Sequence, residues 1–226
     1  MEHTFLNRLN DIFNNHGIED GLEMEIANRG LRVSQVTPGK TILFIGHNPS
    51  FRIGDQPGGE CLYCPIINDS YFSHYFKFAE SIQQQDNWNY LDLFYYRHTE
   101  QAFTGSDSGW VSFLCRQLIV TQDIIESLQP KIIVICNTAA AKYTGLHASP
   151  DRSHGVWMGY KFEWDDNLGA DRIKGVESSL GRVPELKTTK LMNVPVLFSG
   201  FNQYKSVHDR KRLEWHIRYV IRNGIE

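Results

Sequence analysis

The stretch Thr41-Ile42-Leu43-Phe44-Ile45-Gly46-His47-Asn48-Pro49-Ser50 decides how this chain is read. Its apolar start predicts a buried strand over residues 41–46. The run stops at Gly46 and passes into an imidazole, a carboxamide and a proline. Glycine permits unusual backbone angles, and proline fixes its own φ while restraining the residue before it. A loop built this way holds the Asn48 amide in one orientation, as a site requires. An ordinary tight turn can be built from the same residues.

Three more segments share the pattern of an apolar run that ends in polar groups. Residues 89–97, NYLDLFYYR, read as a second strand with Asp92 between two leucines. KIIVICN, 131–137, is a continuous apolar run of the kind covered on both faces of a sheet, and it ends at Asn137 where a small-residue helix begins. VPVLFSG, 194–200, reads as the last core strand and opens into Ser199, Gly200, Phe201 and Asn202.

Between these runs the periodicity is helical. Helices are predicted over 3–15, 71–84, 110–128 and from Ser206 to about 223, the last with a capping-box-like Ser206 and Asp209. Residues 147–190 are polar and glycine-rich, with one alternating segment that predicts a hairpin arm; they read as an elaboration on the domain. Alternating strands and helices predict one α/β domain over 1–226, three-layer α/β/α, with a mainly parallel sheet of about four strands. In such sheets ligands bind beyond the carboxyl ends of the strands. That rule selects the HNPS loop, the end of NYLDLFYYR, Asn137 with its helix start and the SGFNQYKS turn together.

Composition fits a soluble globule: 226 residues, 41% hydrophobic and 22% charged. No apolar run approaches the ~20 residues of a membrane span. The N-terminal segment lacks the pattern of a signal peptide, so a cytoplasmic protein is expected, and a monomer. Of four cysteines only Cys61 and Cys64 form a CxxC pair. A zinc site needs two more ligands at suitable spacing, so neither metal nor cofactor is expected, and reduced structural cysteines are. The formal charge is −3, yet residues 205–222 carry six basic residues against two acids, a net +4 that leaves −7 for the rest. Such asymmetry suits a local phosphate-binding face, with a solvated helix surface as the plain alternative.

The order of these motifs resembles the uracil-DNA glycosylase superfamily, in the branch whose first motif is Gly-x-Asn-Pro, which includes mismatch-specific and single-strand-selective enzymes. Gly46-His47-Asn48-Pro49-Ser50 resembles that motif, IIVICNTAAAKYTG the third strand and its helix, and Ser199-Gly200-Phe201-Asn202 the final loop. The resemblance spans residues 40–222. It implies that Asn48 orients the attacking water, with Gly46, Pro49 and Ser50 around it. It implies that Tyr63 stacks on an extruded base, that Asp92 reads the base edge and that Phe201 wedges into the duplex. Ser50 stands where the family has glycine. Leu197 stands where it has a histidine or asparagine that steadies the departing base.

His47 is a candidate to supply that missing donor, or it packs beside its loop. Asp92 in place of an asparagine changes the code, because an ionised carboxylate only accepts. Ser199, Lys205 and Ser206, at the mouth of the last helix, are candidate phosphate contacts, and Asn137 a candidate substrate contact. The expected activity is hydrolysis of the N-glycosidic bond of a deaminated or damaged base in single- or double-stranded DNA. The alternatives are an inactive nucleic-acid-binding module of the same fold, a nucleoside or nucleotide-binding or -hydrolysing protein, and a CxxC redox or metal protein.

Overall fold

The computed structural model describes residues 3–58, 62–100, 108–146, 157–177, 188–200 and 205–225. Among these described residues the elements follow in order: α1 (His3–Asn14), α2 (Gly21–Asn28), β1 (Val33–Ser34), β2 (Ile42–Gly46), β3 (Leu62–Tyr63), α3 (Phe72–Ser81), β4 (Trp88–Asp92), α4 (Ser108–Leu128), β5 (Ile132–Ile135), α5 (Thr138–Thr144), β6 (Tyr160–Asp165), β7 (Ala170–Val176), β8 (Pro195–Phe198) and α6 (Val207–Asn223).

The main sheet has six strands in the order β4-β2-β5-β8-β7-β6. The first four are mutually parallel, and β7 and β6 continue the sheet antiparallel. The expectation of about four strands is therefore corrected to six. The polar region after residue 147 supplies a hairpin whose second arm pairs with β8 through Asp171 and Arg172. Its composition concealed this because β6 is an edge strand with a register shift at Lys161/Phe162. Burial fades along its inward row, from Tyr160 at 4% exposure to Trp164 at 58%.

Helices flank both faces, and strand alternation assigns each residue to one. Leu43, Ile45, Leu91, Ile133, Ile135 and Val196 join a core with α1, α2 and α4. Ile42, Phe44, Tyr90, Ile132, Val134 and Leu197 join another with α3 and α6. Full burial of a side chain such as Phe44 stabilises by roughly 1.5–3 kcal/mol. In the second core Phe44 meets Tyr75, Phe78 and Trp88 edge-on at 5.2–5.9 Å.

The predicted strand 89–97 ends at Asp92, because the following backbone finds other partners. The Tyr95 amide donates to Gln117 Oε1 at 2.8 Å, and the Leu93 carbonyl accepts from Thr121 Oγ1 at 2.7 Å. These buried polar side chains of α4 carry residues 93–96 off the sheet and along the loop that follows β2. Among the described residues no helix is long and apolar enough to cross a membrane.

Candidate functional site

Gly46 and Asp92 are register partners at the carboxyl ends of two neighbouring parallel strands. Beyond them the 47–49 loop is laced to the 93–98 segment. Leu93 N donates to Gly46 O, Phe94 N to His47 O and His98 N to Pro49 O, at 2.9–3.2 Å. The Asn48 side chain completes the lacing. Its Nδ2 donates to Pro49 O at 3.1 Å and to His98 O at 2.6 Å.

Two carbonyls around Nδ2 fix the orientation of the amide, so Oδ1 is the atom facing His47 Nδ1 at 2.8 Å. Oδ1 only accepts, so the proton of this bond sits on His47 Nδ1. Burial pushes the His47 pKa down and keeps the ring neutral. Its ring packs against Phe94 and Tyr143 at 5.3 and 5.7 Å. His47 is thus a second residue behind Asn48, outside the cavity that Asn48 faces. One lone pair of Asn48 Oδ1 is left to accept from a water.

That cavity has a volume of about 270 Å³ and is lined by Asn48, Pro49, Ser50, Tyr63, Asp92 and Tyr90 among others. A broader cavity of about 800 Å³ lies where Lys131 and Pro195 enter their strands, and no charged side chain lining it is buried. The smaller cavity is the candidate site because a fully enclosed carboxyl group sits in its wall.

Asp92 is 3% exposed. Tyr90 Oη donates to its Oδ1 at 2.7 Å, and Tyr63 Oη approaches Oδ2 at 3.5 Å. The hydroxyl chain continues from Tyr90 to Tyr71 and on to Tyr75, each at 3.0 Å. Burial raises the Asp92 pKa to about 7, against the lowering effect of the Tyr90 and Tyr63 hydroxyls. Burial likewise holds the Tyr63 and Tyr90 hydroxyls protonated and pushes the Cys136 thiol up to about 12. Arg97 turns away to an ion pair with Asp55 at 3.0 Å.

Tyr63 is positioned by a parallel two-residue ribbon, with Ser34 paired to Tyr63 between β1 and β3. Its ring lies beneath the Arg32 guanidinium at 5.7 Å and beside Phe72 at 5.7 Å. The stretch before β3 is anchored at Phe51, whose ring meets the Arg29 and Arg97 guanidinium groups at 4.8 and 4.9 Å. Arg97 also donates to Gln56 O and Gly58 O.

The remaining candidates separate from this cavity. Asn137 caps α5, accepting from Ala139 N and Ala140 N. Ser206 caps α6, accepting from Asp209 N at 3.1 Å and donating to Asp209 Oδ2 at 2.7 Å. Ser199 follows β8, and its Oγ is buried without a hydrogen-bond partner among the described residues. Gly200 has φ +51° and Lys205 is half-buried. Phe201 and Asn202 lie outside the described residues, as does Cys61. Cys64 is exposed and donates to Gln35 Oε1. Among the described residues no cluster of His, Cys, Asp and Glu is arranged to hold a metal.

Sequence reasoning missed Arg32, Tyr71, Phe72 and Tyr90 in the cavity wall. Tyr90 had a readable signal, since it stands two residues before Asp92 on one face of a strand. Arg32 and Tyr71 had none, because distant segments bring them in. No protein-family model matches the chain, and no curated protein matches it significantly.

Proposed function

We propose that the protein is a member of the uracil-DNA glycosylase superfamily that hydrolyses the N-glycosidic bond of a deaminated or otherwise damaged base extruded from DNA. The observation that carries the reading is the convergence of Asn48 and Asp92, 44 positions apart in sequence, on one cavity beside Tyr63. The position of the cavity at the carboxyl ends of the four parallel strands agrees with that reading.

Asn48 is a poor general base, but held by three hydrogen bonds it places a water on its free lone pair. Orientation of this kind lowers a barrier by several kcal/mol. The water adds to the sugar carbon as the base departs with the bonding electrons, through a transition state with oxocarbenium character, and the proton that the water loses ends on the departed base anion. Asp92 faces the base edge. Protonated, it donates and accepts, which complements the N–H and C=O of a lactam such as uracil or hypoxanthine. Ionised, it only accepts, and it repels the departing base anion. The protonated acid therefore takes up the charge-steadying role for which Leu197 has no polar group. His47 positions Asn48 and does not donate to substrate.

The test is incubation with single- and double-stranded oligonucleotides carrying uracil, hypoxanthine, xanthine or a thymine mismatch, followed by strand cleavage at abasic sites. Asp92 in its neutral form predicts cleavage at uracil or hypoxanthine, faster at pH 6 than at pH 8. Two observations favour a second reading. Leu197 is buried in the apolar core, and Asn48 spends both amide hydrogens internally. A binding module without catalysis would retain oligonucleotide binding and release no base.

A further inference from the structure

Helix α6 shows two unlike sides. Leu213, Ile217 and Val220 are buried against the sheet. Lys211, Arg212, Trp215, Arg218, Tyr219 and Arg222 are all exposed. At 3.6 residues per turn these six fall within an outward arc of roughly 120°, and His208, also exposed, falls in the same arc. The arc holds no acid and no aliphatic residue. The helix's acids, Asp209 and Glu214, lie beyond its two edges and pair with Arg212 at 3.6 Å and Lys211 at 2.8 Å. Arg218 and Arg222 have no carboxylate at ion-pair distance among the described residues.

Two aromatic rings occupy the middle of this basic arc. Trp215 is 61% exposed, and its ring stacks on Tyr219 with centroids 5.4 Å apart and planes 17° from parallel. Trp215 thus presents most of its area to solvent, so the stacked pair forms a surface platform. The stack is also held rigid. Tyr219 Oη donates to Asn167 O at 3.0 Å, and the neighbouring His216 Nε2 contacts Leu168 O at 2.8 Å. Both contacts tie the helix to the turn between β6 and β7. The nearby Asp166 carboxylate is already engaged by Trp164 Nε1 at 3.0 Å. Cations spaced along a helix around a preorganised stacking platform match a chain of phosphates with unpaired bases between them.

We propose that the outward face of α6 is a binding platform for single-stranded nucleic acid, with Trp215 and Tyr219 stacking on bases and Arg218 and Arg222 contacting phosphates. Charge complementarity selects the ligand: residues 205–222 carry +4 on a chain of net charge −3. A lipid surface is disfavoured because an interfacial helix needs a continuous apolar stripe, and here the two aromatic rings sit among cations with Val207 as the exposed aliphatic residue of the helix. A duplex offers phosphates but keeps its bases stacked on one another and leaves the ring pair without a role. The platform stands independently of the cavity, and its test involves no base release.

The experiment is fluorescence anisotropy of a labelled dT12 oligonucleotide titrated with the full chain across a salt series. A variant carrying Trp215→Ala and Tyr219→Ala is expected to bind about tenfold more weakly or worse, with a near-normal salt slope. A variant carrying Arg218→Gln and Arg222→Gln is expected to flatten that slope by about 1.4, for two lost phosphate contacts at about 0.7 each. Quenching of tryptophan emission by dT12 in the unmodified protein is expected as well, and it requires no variant. Three results would overturn the proposal: no dT12 binding at low salt, unchanged affinity in the aromatic variant, or preference for phosphatidylserine vesicles over dT12.

Discussion

Gly46 faces Asp92 across the β2–β4 ladder, and a Cβ at Gly46 would collide with the Tyr90 hydroxyl and the Asp92 carboxylate. The glycine is therefore required by the buried acid beside it. Its role in a turn is secondary, since its φ is not positive. Gly46→Ala is expected to destabilise by about 1–3 kcal/mol, as overpacking does, and to displace the Tyr90–Asp92 hydrogen bond. Thermal melting measures the first effect. The second appears as a change in the pH dependence described next.

Asp92 has a pKa raised by burial to about 7 in the folded chain, against an ordinary carboxylate value unfolded. Protonation thus favours the folded state. Stability is fully present at acid pH and is lost as pH rises toward and through about 7. Asp92→Asn is expected to remove that loss, worth a few kcal/mol in order of magnitude. The variant should gain in denaturant midpoint over wild type at pH 8 and show little gain at pH 4. An equal offset at both pH values would contradict a neutral buried acid.

Asn48 separates two kinds of damage. Asn48→Ala removes three hydrogen bonds and is expected to cost about 1–3 kcal/mol. Asn48→Asp puts an oxygen where Nδ2 now meets the carbonyls of Pro49 and His98, so acceptors face acceptors. The aspartate variant should therefore be less stable than the alanine variant, although it is nearly isosteric. Chemical denaturation at pH 7.5 orders the two.

Arg97 holds the loop after the motif. It is 5% exposed, pairs with Asp55, and donates to the carbonyls of Gln56 and Gly58. Arg97→Lys keeps the charge but loses the fork that reaches all three. Faster proteolytic nicking within residues 52–58 is expected, with a smaller loss of melting temperature than Gly46→Ala causes. Limited proteolysis with mass mapping reads it out.

Much of the fold was legible in the sequence because burial writes itself into period. Ile42 to Ile45 and Ile132 to Ile135 are apolar on both faces and are strands covered on both sides. The α6 stripe and its Ser206 cap were equally plain. The β6–β7 hairpin was harder to read, because an edge strand with a register shift mixes burial and exposure along one row. The two-residue strands β1 and β3 carry no period at all, yet they place Tyr63.

Within the site, Asn48 was visible as a polar residue at the end of an apolar run, whereas Asp92 stood inside the predicted strand 89–97 between Leu91 and Leu93 and was marked only by the family resemblance. The orientation of Asn48 was not visible, because it depends on His98, 50 positions away. Asn137 looked like a site residue for the reason it caps a helix so well: a short polar side chain at a strand-to-helix junction serves either purpose.

Whether Asn48 positions the attacking water is tested most directly by mass-spectrometric detection of free base released from a uracil- or hypoxanthine-bearing oligonucleotide at pH 6, with wild type and Asn48→Ala side by side. Wild type is expected to release the base and the variant to lose at least about a hundredfold, the scale of a lost orienting group. Equal release by both proteins, or no release from any oligonucleotide while free nucleosides are cleaved, would contradict this expectation.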